Sequence, residues 1–98
     1  MYALAIDAGS SSVRAALYDR QGTLVQGSLA QIDVELTVGA GGVVEIDAAL
    51  LRRAVERAID ATLLHPAAAD IDAVGVTTFW HSLVVLDRSS EPLTPVLS

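Results

Sequence analysis

Apolar residues run almost unbroken from Tyr2 to Ile6, which is how a short strand covered on both faces reads. From Val13 to Tyr18 the pattern alternates instead. Val13, Ala15 and Leu17 fall on one side, Arg14, Ala16 and Tyr18 on the other. Asp19-Arg20-Gln21-Gly22 is a turn signal, and Thr23 to Gln31 reads as the returning strand. Three antiparallel strands joined by two tight turns follow. Between Asp33 and Val44, Gly39, Gly41 and Gly42 predict a loop.

The period then changes. From Asp47 to His65, Leu50, Leu51, Ala54, Val55, Ala58, Ile59, Thr62 and Leu63 form one stripe at helical spacing. Arg52, Arg53, Glu56, Arg57 and Asp60 occupy the opposite face as a solvated surface, with Arg52 and Glu56 spaced for an i,i+4 pair. Asp47 suits the N-cap, and Pro66 stops the helix beyond His65. Ile71 to Thr77 reads as a buried strand and Leu83 to Leu86 as another, closed by a turn at Arg88-Ser89-Ser90-Glu91-Pro92. The predicted order is β-β-β-α-β-β. Pro92 to Ser98 adds no closing element, as expected of the N-terminal part of a longer protein.

Composition narrows the class. Ninety-eight residues, 52% of them hydrophobic, suit one small domain or a piece of a larger one. All six basic residues are arginines and the net charge is −6, which argues against a nucleic-acid backbone as partner. The absence of cysteine excludes disulfides and thiolate metal sites. Met1-Tyr2-Ala3-Leu4 lacks the basic start of a signal peptide, and no stretch reaches the roughly 18 apolar residues of a membrane helix. A cytoplasmic protein without a membrane partner is expected.

The candidate chemistry lies at the first turn, Asp7-Ala8-Gly9-Ser10-Ser11-Ser12-Val13-Arg14. Gly9 tolerates positive φ and close approach of a ligand to the backbone. Successive N–H groups in such a turn converge on anions, and Ser10, Ser11 and Ser12 add hydroxyl donors. Arg14 adds a permanent charge suited to phosphate, and Asp7 would reach phosphate through a magnesium ion. It is not a P-loop: there is no Gly-Lys-Ser/Thr, and a strand follows where a P-loop has a helix. A polar β-turn built from favoured turn residues remains the alternative for this stretch alone.

In its setting the chain resembles the N-terminal end of the FGGY carbohydrate kinases, members of the actin/Hsp70/sugar-kinase ATPases. Three segments carry the resemblance. Ile6 to Ala15 is similar to that family's first phosphate loop. Gly42-Val43-Val44-Glu45-Ile46-Asp47 is similar to the Gly-x-x-Glu-x-Asp before its first helix. Val74-Gly75-Val76-Thr77-Thr78-Phe79-Trp80-His81-Ser82-Leu83, with Glu91-Pro92-Leu93-Thr94-Pro95-Val96, resembles the strand, substrate loop and next strand of gluconate and xylulose kinases.

The resemblance implies an α/β fold with a ribonuclease H-like (actin-like ATPase) core and a mixed sheet, residues 1–98 being the N-terminal portion of the first domain. It implies ATP and magnesium as cofactors and transfer of the γ-phosphate to a hydroxyl of a sugar, sugar acid or polyol. Gluconate is the first choice and xylulose the next. Gly9, Ser10, Ser11, Ser12 and Arg14 would hold the phosphates, Asp7 the metal, and Trp80 and His81 the sugar. The phosphate turn has serine where relatives commonly have threonine, which keeps the hydroxyl. The catalytic aspartate and the adenine-binding domain would lie beyond Ser98, so no catalytic residue is assigned within this chain and the piece alone is expected to be inactive. The expected partners are ATP, the small-molecule sugar, the rest of the kinase chain and, as an option, a second copy. Glycerol kinases resemble Arg-Glu at the positions of Trp80 and His81, which disfavours that branch. From another class, a non-catalytic actin-like scaffold would bind a partner through open edges. Glu45 and Asp47 read as loop anchor and cap, and His65 as a helix-end residue whose cationic form would suit the dipole.

Overall fold

The computed structural model describes residues 1–42 and 44–97. Its frame is a four-stranded sheet made by β1 (Tyr2–Ala8), β2 (Ser12–Tyr18), β3 (Ala30–Asp33) and β6 (Ile71–Thr78), in the order β3-β2-β1-β6. β1 pairs antiparallel with β2, β2 antiparallel with β3, and β1 parallel with β6. A small second sheet joins β4 (Thr37–Val38) to β5 (Val44–Glu45), with the 3-10 turn Ala40–Gly42 between them. Helix α1 (Ala48–Leu63) precedes a second 3-10 turn, Pro66–Asp70, which leads into β6.

The alternation read from Val13 to Tyr18 becomes the two faces of this sheet. Leu17, Val13 and Ala15 are buried and pack with Leu4, Ala54 and Ala58 in the core. Arg14 and Tyr18 lie on the other side. Asp47 caps α1: its Oδ1 accepts from the N–H groups of Ala49 at 2.8 Å and Leu50 at 3.1 Å. The exposed Arg52–Glu56 pair forms at 2.8 Å. Thr62 is buried at the end of the apolar stripe, where its hydroxyl lies 2.9 Å from the carbonyls of both Ala15 and Ser28 and shares its one proton between them, tying α1 to the sheet and to the chain entering β3. Leu63, placed on the same stripe by its spacing, is exposed.

Several elements depart from the predicted order, which becomes β-β-β-β-β-α-β. The returning strand is confined to Ala30–Asp33, because Gly27 takes φ 82° and breaks the extended run from Thr23. The loop expected from Asp33 to Val44 contains β4 and a 3-10 turn, the positive φ of Gly41 and Gly42 bending the chain there. Val43, part of the segment resembling Gly-x-x-Glu-x-Asp, lies outside the described residues, as does Ser98. Leu83 to Leu86 is not a regular strand. It runs beside the terminal segment through isolated bridges, Leu83 with Leu97 and Leu86 with Pro92. Pro92 and Pro95 have no N–H to offer a ladder, and the Thr94 hydroxyl takes the place of a carbonyl by accepting from the Val85 N–H at 3.1 Å. The turn closing this hairpin, Asp87 to Glu91, is held by the Asp87 carboxylate, which accepts from the N–H groups of Ser89 and Glu91.

β6 is not the buried strand its composition suggests. Register places Val74 opposite Leu4 and Val76 opposite Ile6, hence on the helix side of the sheet, yet the two valines are 62% and 64% exposed. α1 packs chiefly on β2 and β3 and leaves β6 uncovered. His65 also differs from its reading as a charge at the helix end. Its Nδ1 accepts from the Ala67 N–H at 3.0 Å, which leaves Nε2 to donate to the Gln26 carbonyl at 3.1 Å, so the ring staples the helix end to the loop before β3.

Candidate functional site

β1 and β2 meet at the turn Gly9-Ser10-Ser11, closed by a bond from the Gly9 N–H to the Ser12 carbonyl at 3.0 Å. Glycine is needed here for space and not for a positive φ, as the sequence had suggested. A Cβ on Gly9 would stand 2.7 Å from the Ser12 carbonyl oxygen, while φ at Gly9 is not in the left-handed region. The Ser11 carbonyl accepts from the Val34 N–H at 2.9 Å, anchoring the turn to the chain leaving β3. Ser10 and Ser11 are exposed and Ser12 is half-buried. Among the described residues, none of the three hydroxyls has a hydrogen-bond partner within the protein, which leaves them available to a ligand.

Asp7 and Arg14 stand directly opposite each other across β1 and β2, both exposed on the face away from α1. They share a shallow groove with Ala5, Ala16, Tyr18, Leu29, Gly75 and Thr77. Thr77 is in register with Asp7 on the other side, so it flanks the carboxylate from β6. Thr77 was not singled out from the sequence. Its signal was a polar residue at alternate spacing from Gly75, which means nothing until β6 is known to lie beside β1.

The predicted substrate residues sit at the same end of the sheet but not in that groove. Trp80 is 83% exposed and lines a separate cleft with Ser10, Leu36, Val44, Ile46, Phe79, Ser82 and Val96. The cleft, about 280 Å³, is near the lower end of the usual ligand-pocket range of roughly 300 Å³ upward, so it suits a small ligand. His81 lies beside Trp80, the rings edge-to-face with centroids 6.3 Å apart, and takes φ 57°. Such a conformation costs a non-glycine residue of order 1–3 kcal/mol and is common at ligand-binding corners. Ser82 Oγ donates to the Trp80 carbonyl at 3.2 Å and helps close this corner. Ser10 is thus the residue that links the β1–β2 turn to the Trp80 cleft. Leu36, Ile46 and Val96 were missed because apolar residues in irregular segments carry no sequence signal of a cleft; Ile46 and Val96 are brought together from distant segments, with a bond from the Val96 N–H to the Ile46 carbonyl at 2.8 Å.

Among the described residues no group of three or more His, Asp or Glu side chains could hold a metal ion. Asp7 is therefore a single hard oxygen donor. That fits magnesium, which keeps several waters and is bound through one or two carboxylates together with substrate phosphates. No helix of the described residues is long and apolar enough to cross a membrane.

The FGGY family of carbohydrate kinases, N-terminal domain, matches residues 2–98. The chain belongs to that family. Among solved structures, this FGGY chain is similar to a xyloylose kinase from Brucella ovis (TM-score 0.89, 27% identity, covering 99% of this chain and 20% of that one). It is likewise similar to a gluconate kinase from Lactobacillus acidophilus (TM-score 0.82, 28% identity, 99% and 19%). A ligand-bound xylulose kinase from the same organism gives TM-score 0.83 at 28% identity, with the same coverage. The FGGY chain therefore spans about a fifth of the length of these relatives. No curated protein matches it significantly. The fold is that of the ribonuclease H-like, actin-like kinases, and the sheet is mixed as the resemblance implied.

Proposed function

We propose that this chain forms the phosphate-binding end of a carbohydrate kinase that transfers the γ-phosphate of ATP to a hydroxyl of a sugar, sugar acid or polyol. The observation that carries this reading is the Asp7–Arg14 couple, held in direct register beside the Gly9 to Ser12 turn. An open carboxylate and an open guanidinium side by side suit a metal-bound polyphosphate, the carboxylate facing the metal and the guanidinium the phosphate oxygens. The unpartnered hydroxyls of Ser10, Ser11 and Ser12, with the close backbone approach at Gly9, would hold the same phosphates. Magnesium, when bound, neutralises charge developing on the transferring group.

Trp80 and His81 would bind the sugar, Trp80 by stacking and His81 by hydrogen bonding to hydroxyls. The base that deprotonates the acceptor hydroxyl, an aspartate by family resemblance, would come from the remaining four fifths of the kinase. That remainder would also pack on the uncovered side of β6. Gluconate is the first choice of substrate, on the wording Trp80-His81-Ser82-Leu83 and Pro92-Leu93-Thr94-Pro95. A second reading is a ketose such as xylulose, supported by the likeness to a xylulose kinase from Lactobacillus acidophilus.

The test is a coupled assay of ADP release by the complete protein with Mg-ATP and a panel that includes D-gluconate, D-xylulose and glycerol. Release that depends on one sugar supports the reading and names the substrate. Absence of sugar-dependent release with every member of the panel overturns it.

A further inference from the structure

Asp7 and Arg14 carry opposite charges directly across an antiparallel pair, the arrangement in which side chains ordinarily meet, with Cβ atoms about 5 Å apart. They do not meet. Among the described residues the only ion pair is Arg52–Glu56. Arg14 instead turns toward the strand on its other side, where its Nε donates to Gln31 Oε1 at 3.3 Å. Gln31 is the register partner of Arg14 on β3, so a polar row, Thr77-Asp7-Arg14-Gln31, crosses the whole sheet on its open face.

We propose that Gln31 is a positioning residue that holds Arg14 away from Asp7 and so keeps both charges open to a metal-bound phosphate. This rests on the phosphate-binding reading above. The physical case is one of balance. Asp7, Arg14 and Gln31 are all exposed, and an exposed ion pair is a weak interaction, so a single competing hydrogen bond of similar strength decides which way the guanidinium turns. The bond to Gln31 uses Nε alone and leaves both Nη groups for a phosphate, whereas pairing with Asp7 would consume donors and carboxylate together. A neutral amide does this without adding a second anion beside the phosphate.

Two measurements on the complete protein test it. In steady-state kinetics, Gln31→Leu, which keeps the bulk and removes the acceptor, raises KM for Mg-ATP by roughly five- to tenfold, the scale of one lost hydrogen bond. KM for the sugar and the thermal midpoint stay unchanged, and Gln31→Leu adds nothing in an Arg14→Ala background. An unchanged KM for Mg-ATP in Gln31→Leu, or the same rise in the Arg14→Ala background, overturns the proposal while leaving the kinase reading intact. Crystal structures of the parent and Gln31→Leu proteins give an answer even if no sugar supports turnover. The expected result is an Arg14–Asp7 ion pair within 4 Å in the variant only. A pair already formed in the parent, or formed in neither, overturns it.

Discussion

Asp7 and Gly9 show how differently single residues of one turn are constrained. Asp7 is exposed and makes no contact the fold depends on, so replacing it tests chemistry with little structural cost. Asp7→Ala in the complete protein is expected to change stability by less than about 0.5 kcal/mol while lowering kcat roughly a hundredfold or more, the scale of lost metal-assisted charge stabilisation. Normal turnover would refute the assignment of Asp7 to the metal. Gly9 is the reverse case, because its constraint is geometric. Gly9→Ala forces a Cβ to within 2.7 Å of the Ser12 carbonyl oxygen, which itself accepts the bond closing the turn. The strain is expected to cost about 1–3 kcal/mol in urea unfolding and to raise KM for Mg-ATP as the turn shifts. Unfolding at the parent denaturant midpoint would show that the turn yields without strain. A glycine followed by serines was legible in the sequence. The reason for the glycine was not, since a clash with a residue across the turn exists only once the hairpin closes.

At the scale of elements, legibility followed how completely each one carries its own instructions. α1 was readable almost to the residue because its stripe, cap and stop signal are all local: Asp47 accepts from two N–H groups of the first turn, and Pro66 follows the end. Asp47→Ala is accordingly expected to destabilise the protein by about 1 kcal/mol, with a matching fall in the denaturant midpoint and an unchanged slope. No fall in midpoint would mean that another group takes over the orphan N–H groups. The first hairpin was equally legible, from an unbroken apolar run in β1 and alternation in β2. The elements that were not, β3 and the Leu83 to Leu97 hairpin, are specified by partners far along the chain. β3 starts only where Ser28 and Thr62 tie the preceding loop to β2 and α1, and Leu83 is placed by reciprocal bonds with Leu97. The proposed site divides in the same way. The Asp7 to Arg14 turn could be read from consecutive residues, whereas the flanking roles of Thr77 and Gln31 depend on strand order.

For the whole molecule, the decisive fact is the contrast between the two ends of one sheet face. Over β2 and β3 the face is sealed by α1, with Val13 and Leu17 fully buried, while over β6 Val74 and Val76 stand exposed in the same layer. A parallel strand of this composition is ordinarily covered on both faces, whereas among the described residues nothing covers the valines of this one. Relatives about five times as long provide room for a cover, which makes the proposal of a packed remainder testable by the sign of one double substitution. Val74→Ser with Val76→Ser leaves the core beneath α1, over β2 and β3, untouched. If nothing packs on β6, such a change at exposed positions alters stability by no more than about 0.5 kcal/mol per site. If the rest of the kinase covers β6, each valine loses the burial of an apolar side chain, about 1.5 kcal/mol or more, and the complete protein should lose several kcal/mol in urea unfolding and bind more of a hydrophobic dye. A complete protein as stable with the two serines as without them would place its remaining mass elsewhere and leave this face of β6 open.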